Sequence, residues 1–162
     1  MDLGAFQIVP RQPLHEKILS GWRYEGIYSF YDLSEPLEED SDSGYFVCID
    51  TGGQVIGHVS YGPDGQIGTK EGYVYSSEYL DIGLGMRPDL CGRGFGVIFV
   101  RRCLDFARER YGVSKFRLSV AAFNKRAVKV YERVGFSVEG SVTSQLFGSE
   151  FYIMTFSVSD SK

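Results

Sequence analysis

Cys91-Gly92-Arg93-Gly94-Phe95-Gly96 is the stretch of this 162-residue chain whose residue types and spacing can do chemistry most directly. Glycines let a backbone approach a ligand closely, and the residues that follow have helical spacing. The first amides of a helix lack intrahelical partners and lie at the positive end of its dipole. Such a turn is an anion site suited to phosphate. Charge agrees with this. Between Ile82 and Leu104, Arg87, Arg93, Arg101 and Arg102 stand against Asp89 alone, a local +3 in a chain of net −4. Spacing excludes two phosphate loops. A Walker loop needs Gly-Lys followed by Ser or Thr. The dinucleotide fingerprint needs G-x-G-x-x-G, whereas this run reads G-x-G-x-G.

A second stretch has the residue types of a cation site. Trp22, Tyr24, Tyr28, Phe30 and Tyr31 are followed by Glu35, Glu38, Glu39, Asp40 and Asp42. Aromatic faces and carboxylates together suit a cationic amine. The plainer reading, core aromatics followed by a solvated acidic loop, covers most of these residues, and the two are compatible. His15 and His58 are isolated, without a partner at metal or triad spacing, so a structural role is expected for each. Cys48, Cys91 and Cys103 lack CxxC or Cys/His spacing, which points to a reduced compartment and no metal site.

The elements that must position these residues follow from periodicity. Residues 78–84 alternate as a strand, and residues 96–111 carry a helical stripe of Phe99, Val100, Cys103, Leu104, Ala107 and Tyr111. The order is strand, glycine-rich turn, helix. Upstream, residues 6–10 suit an edge strand, and residues 14–30 are partly helical with Ile18, Leu19 and Trp22 on one face. Residues 45–49 and 54–61 read as strands joined by the hairpin signal Asp50-Thr51-Gly52-Gly53. Residues 62–77 read as turn and loop. After a stop at Gly112 comes a strand over residues 116–122. Asn124 then caps a helix over residues 125–134, with Ala127, Val130, Tyr131 and Val134 on its apolar side. Gly135 ends that helix and Phe136 folds back onto it. Residues 138–146 and 151–158 supply two last strands. This pattern alone gives α/β or α+β in one domain over residues 1–162.

Composition bounds the rest. Hydrophobic residues make up 43% and charged residues 23%, as in soluble globular proteins. The acidic balance argues against general nucleic-acid binding. No apolar run is long enough to span a bilayer, and residues 1–13 lack the apolar core of a signal peptide. A cytoplasmic location with no membrane partner is expected.

The glycine-rich turn resembles the coenzyme A pyrophosphate loop of the GNAT family of N-acetyltransferases, Q/R-x-x-G-x-G/A, with Cys91 in place of the first Gln or Arg. Residues 124–136 resemble the family's second hallmark, N-x-x-A-x-x-x-Y-x-x-x-G-F, carried by Asn124, Ala127, Tyr131, Gly135 and Phe136. The two motifs occur in the family's order, separated by a helix and a strand. The resemblance covers residues 45–158.

That resemblance implies an α+β (mixed α/β) fold: a mixed sheet splayed into a V, with helices on both faces and coenzyme A entering where strands 80–86 and 116–122 diverge. It implies acetyl-CoA as co-substrate, with its pyrophosphate at Cys91, Gly92, Arg93, Gly94, Phe95 and Gly96. Strand amides at Leu84, Gly85 and Met86 would hold the pantetheine arm, with Asn124 near it. Asp81, thirteen residues before Gly94, stands near where the family often carries an acidic base; the other reading is a buried structural carboxylate. Tyr131, seven positions after Asn124 and on nearly the same helix face, would face the thioester sulfur and protonate the departing thiolate, unless its ring only packs. The expected function is transfer of acetyl from acetyl-CoA to a primary amine of a small molecule, peptide or protein, by direct attack in a ternary complex. The alternative is a non-catalytic acyl-CoA sensor, and the presence of both Asp81 and Tyr131 favours the enzyme. The acceptor, the acyl chain length and the oligomeric state, a homodimer included, stay open.

Overall fold

The computed structural model describes residues 5–23 and 44–158. Tyr24, Tyr28, Phe30, Tyr31, Glu35, Glu38, Glu39, Asp40 and Asp42 lie outside the described residues. The strands are β1 (Gln7–Pro10), β2 (Tyr45–Ile49), β3 (Val55–Tyr61), β4 (Leu80–Met86), β5 (Lys115–Ala121), β6 (Ser137–Thr143) and β7 (Glu150–Ser157). The helices are α1 (Pro13–Ser20), α2 (Gly96–Tyr111) and α3 (Lys125–Val134). All the strands join one sheet in the order β1-β2-β3-β4-β5-β7-β6. Each neighbouring pair is antiparallel except β4 and β5. Parallel neighbours need a crossover connection, and α2 supplies it.

The splay is visible in the register. β4 and β5 pair only at Leu80↔Phe116 and Asp81↔Arg117, whereas β5 pairs with β7 along its whole length, from Lys115↔Ser157 to Ala121↔Phe151. Past Asp81 the two parallel strands separate, as the expected V requires.

Alternation along the strands assigns the two faces. On β2, Phe46 and Cys48 join the main core with Phe99, Cys103 and Leu104 of α2 and Val134 of α3. Val47, between them, packs instead with Leu19 of α1 and Val55. α2 and α3 therefore cover one face and α1 the other. The expected helix stops are present. Gly112 takes a left-handed φ of 65° and its amide donates to Arg108 O at 3.0 Å. Gly135 has a φ of 131°, and the amide of Phe136 turns back to Tyr131 O at 3.0 Å.

The first helix departs from expectation. Ile18 and Leu14 are exposed, and the inward face is His15, Glu16 and Leu19. Pro13 at the start and a reciprocal cap between Gln12 and His15 set the helix phase, with Gln12 N donating to His15 Nδ1 at 2.9 Å. Arg11 holds Glu16 at 2.7 Å, so a charged pair lies where apolar periodicity predicted isoleucine. His15 is structural, as expected.

Candidate active site

The site grows from the turn that joins β4 to α2. A short 3-10 turn over Pro88–Leu90 drives Leu90 into the core. The chain then reverses through Gly92 and Gly94, with φ of 73° and 85°, a region that favours glycine. Gly96 opens α2 with an ordinary φ, and its need for glycine is different. A Cβ there would stand 2.9 Å from Val130 Cγ2, so Gly96 lets α2 approach α3. The first amides of α2 have no carbonyl one turn earlier to bond, and the first such bond runs from Phe99 N to Phe95 O at 3.0 Å. Gly92, Gly94, Gly96 and Val97 all line one cleft of about 550 Å³.

The cleft runs into the gap between β4 and β5. Arg87 N donates to Ile56 O at 2.8 Å. Successive residues of a strand turn their backbone groups to opposite sides, so Arg87, Gly85 and Gly83 address β3. The N–H and C=O of Leu84 and Met86 therefore face the gap, where β5 no longer pairs with them. Cys91 belongs to this wall, its thiol donating to Met86 O at 3.7 Å. Burial pushes that thiol up from its ordinary pKa.

Gly83 and Gly85, expected to admit the ligand, make room for side chains of β3. A Cβ on Gly85 would stand 2.5 Å from His58 Nε2, and one on Gly83 would stand 2.8 Å from Ser60 Oγ. Their backbones line the cleft as well.

α3 supplies the opposite wall. Asn124 accepts the Ala127 amide at 3.1 Å and starts the helix. Asn124, Ala127, Val130 and Tyr131 then line the cleft together. The Tyr131 ring packs against Phe136, edge to face, at 6.0 Å between centroids. The same helix presents Arg126, Lys129 and Arg133 to the cleft.

These cations correct the expected source of positive charge. Arg87 is held by Asp89, Nε to Oδ1 at 2.5 Å, and Arg102 donates to Phe6 O at 2.7 Å. Arg93 lies outside the cleft with its guanidinium 5.7 Å from the Phe95 ring, and Phe95 does not line the cleft either. The motif's own window is thus largely spent on local contacts. The cleft's cations come from α3, where a spacing of three and four residues could have revealed them.

Asp81 requires the clearest correction. It is 4% exposed and does not line the cleft. Arg117 grips it with two bonds, Nε to Oδ1 at 2.6 Å and Nη2 to Oδ2 at 2.8 Å, and Gln66 Nε2 donates to Oδ2 at 2.8 Å. The guanidinium also donates to Ser76 O and lies 5.1 to 5.9 Å from the rings of Tyr73, Tyr75 and Tyr79. The Asp81 hydrogen bond raises the Arg117 pKa, keeping the guanidinium charged. A carboxylate held in this way ties residues 66–79 to the sheet and stands apart from the residues that line the cleft. Its burial and its bonds fit the reading of Asp81 as a structural carboxylate.

His58 was expected to be structural, yet it lines the cleft. Gly57 faces Phe99 of α2, since a Cβ there would stand 2.5 Å from that ring. His58, the next residue, therefore projects from the α1 face, with its ring 6.2 Å from Trp22. Burial, helped by the charge of Arg11, lowers its pKa to about 4, so the imidazole is neutral near pH 7.

The cleft thus passes through the sheet. Phe99, Val100, Val130 and Tyr131 line it on the α2–α3 face, while His58, Ser119, Ala121 and Phe151 line it on the α1 face. A second depression, among Asp105, Arg108, Glu109 and Gly112 at the end of α2, touches neither motif. No helix among the described residues is long and apolar enough to cross a membrane.

Residues 12–136 match the acetyltransferase (GNAT) family. The chain is 27% identical over 150 residues to a spermidine N(1)-acetyltransferase of Vibrio cholerae, covering 91% of this chain and 82% of that one. It is 35% identical over 104 residues to a streptothricin acetyltransferase of Streptomyces lavendulae, covering 63% of this chain and only 49% of the relative. Among solved structures, the spermidine N-acetyltransferase of Vibrio cholerae in complex with CoA and spermine superimposes with a TM-score of 0.68 at 20% identity, covering 94% and 95% of the two chains. The chain belongs to the acetyltransferase (GNAT) family. It is an N-acetyltransferase that takes its acyl group from an acyl-CoA donor.

One consequence tests the loop directly. Gly94→Val should weaken acetyl-CoA binding about tenfold or more, with the protein still folded. Nothing lies within 4 Å of a Cβ at Gly94, so the added side chain meets no protein atom. What it disturbs is a backbone at a φ of 85° that a β-branched residue resists. Calorimetric titration giving the wild-type affinity would remove the pyrophosphate assignment.

Proposed function

We propose that this chain transfers acetyl from acetyl-CoA to a primary amine of a small cationic acceptor, by direct attack while both substrates occupy the cleft. The observation that carries the reading is the cleft itself, lined from both faces of the sheet at the β4–β5 gap. The donor lies on the α2–α3 side. Its pyrophosphate takes the amides of the Gly92–Gly96 turn, and its phosphates draw on Arg126, Lys129 and Arg133. The backbone groups of Leu84 and Met86 receive the pantetheine arm, with Asn124 at its side. Tyr131 donates the proton that the departing sulfur needs.

The acceptor enters from the α1 side. Trp22 stands there beside His58, and the chain continues from it into the aromatic and acidic stretch up to Asp42. Relatives named for spermidine and streptothricin support a cationic acceptor. Free thiols at Cys48, Cys91 and Cys103 fit a reduced, cytoplasmic setting.

Thiol release with a panel of amines tests this. Polyamines and aminoglycosides should be preferred over neutral primary amines at low salt, and the preference should shrink as salt screens the acidic stretch. Equal kcat/KM for cationic and neutral amines at low salt would remove the cationic class. Absence of turnover with every amine, despite acetyl-CoA binding, would remove the enzyme.

A further inference from the structure

With Asp81 closed off by Arg117, the proton that the attacking amine must lose has no assigned destination. We propose that His58 Nε2 is that destination, so that His58 is a catalytic residue placed on the acceptor side of the cleft. The inference rests on the N-acetyltransferase reading of this same site.

Four observations support it. His58 lines the cleft. It projects from the α1 face, opposite the face that carries Tyr131 and the glycine-rich turn. Its Nε2 lies over the Cα of Gly85, where a Cβ would stand 2.5 Å away, so it sits against β4 next to Leu84, whose backbone groups face the gap. Neither ring nitrogen has a hydrogen-bond partner among the described residues, and the ring's close neighbour is Trp22. An imidazole nitrogen that opens on a cleft and has no partner among the described residues is suited to a ligand's N–H. Burial and Arg11 keep it neutral, with a lone pair available, and make it a weak base, suited only to a proton that bonding to the thioester carbon has acidified.

The proton balance closes within the site. The ammonium first loses one proton to solvent, and as the neutral nitrogen bonds to the thioester carbon it gains positive charge, so its N–H becomes more acidic than that of the free ammonium. Nitrogen gives one proton to His58 Nε2. The C–S bond breaks with its electron pair on sulfur, which takes a proton from the Tyr131 hydroxyl. The products are an amide and a thiol. His58 returns its proton to solvent and Tyr131 regains one from it. Acid and base thus work from opposite faces of the sheet, and neither has to change role during the reaction.

Two substitutions test it. His58→Gln keeps a planar polar group over Gly85 but removes the base, and His58→Ala leaves a hole that free imidazole can enter. With an amine that wild-type protein acetylates, both should lose about a hundredfold in kcat, on the scale of general-base contributions. Acetyl-CoA affinity should stay within twofold, and added imidazole should restore His58→Ala activity. Near-normal kcat in folded His58→Gln would overturn the assignment, as would a loss confined to KM or a kcat loss in His58→Ala that imidazole leaves untouched. If His58→Ala fails to fold, the kcat and KM of His58→Gln decide the matter. Failure of the parent reading looks different: wild type itself would then bind acetyl-CoA and acetylate no amine.

Discussion

Replacing Tyr131 with Phe should lower turnover about a hundredfold, on the scale of general-acid contributions, and leave acetyl-CoA affinity and melting temperature almost unchanged. The substitution separates two roles that the structure superimposes. Tyr131 belongs to the apolar stripe of α3 and packs edge to face on Phe136. It is also half-buried, because its side of the helix lines the cleft. Phe keeps the ring, its burial and its contact with Phe136, and deletes the oxygen alone. A phenol with an ordinary pKa of about 10 is protonated at neutral pH and can supply the proton that a leaving thiolate needs. A hundredfold loss corresponds to about 2.7 kcal/mol of barrier. The test requires pre-steady-state rates, so that product release does not mask the chemistry. A folded Tyr131→Phe protein with near-normal single-turnover rates would mean that the ring packs and the sulfur leaves unassisted.

Local signals were legible in the sequence because local chemistry enforces them. Asn124 caps α3, Gly112 and Gly135 end their helices, and Asp50 closes the β2–β3 hairpin by accepting the amides of Gly52 and Gln54. The β4-turn-α2 unit was legible for the same reason. Its positive-φ glycines and the stripe from Phe99 to Ala107 are properties of neighbouring residues. What periodicity could not supply was contact between distant residues. Asp81 lies 36 positions before Arg117, and only the parallel register of β4 and β5 brings them together. His58 looked isolated because its relevant neighbours, Gly85 and Trp22, come from another strand and from the end of α1. The arginines near the glycine-rich turn were visible, but their partners were not. Asp89 and the Phe6 carbonyl hold two of them, and the cleft draws its charge from α3. The inward face of α1 is not legible in periodicity, because an apolar stripe says nothing about a buried ion pair. Arg11 and Glu16 take the space that Ile18 was expected to fill.

Asp81→Asn should act on stability rather than on chemistry. The carboxylate and the Arg117 guanidinium are both almost fully buried, with side chains 5% and 3% exposed. Asn matches the shape of Asp but removes the charge, so it leaves Arg117 uncompensated between the sheet and Tyr73, Tyr75 and Tyr79. Breaking a buried pair from one side costs about 3–5 kcal/mol, most of it from the stranded partner charge. For a chain of this size the melting temperature should fall on the order of 10 °C. The Gln66 and Ser76 contacts would loosen with the pair, so residues 66–79 should become more sensitive to protease than in the wild type. Turnover per folded molecule should change only a few-fold at a temperature where the variant is still folded, because the pair lies outside the cleft. A general base would give the reverse pattern, with turnover down about tenfold or more and melting unchanged. Changing Arg117 to Met in the Asp81→Asn background removes the stranded charge as well. The double variant should recover part of the lost stability, since replacing a buried ion pair on both sides is often close to neutral. Melting curves and single-turnover rates on the two variants decide it: an unshifted melting temperature with a slow chemical step in Asp81→Asn would restore Asp81 as the base and displace His58 from that role.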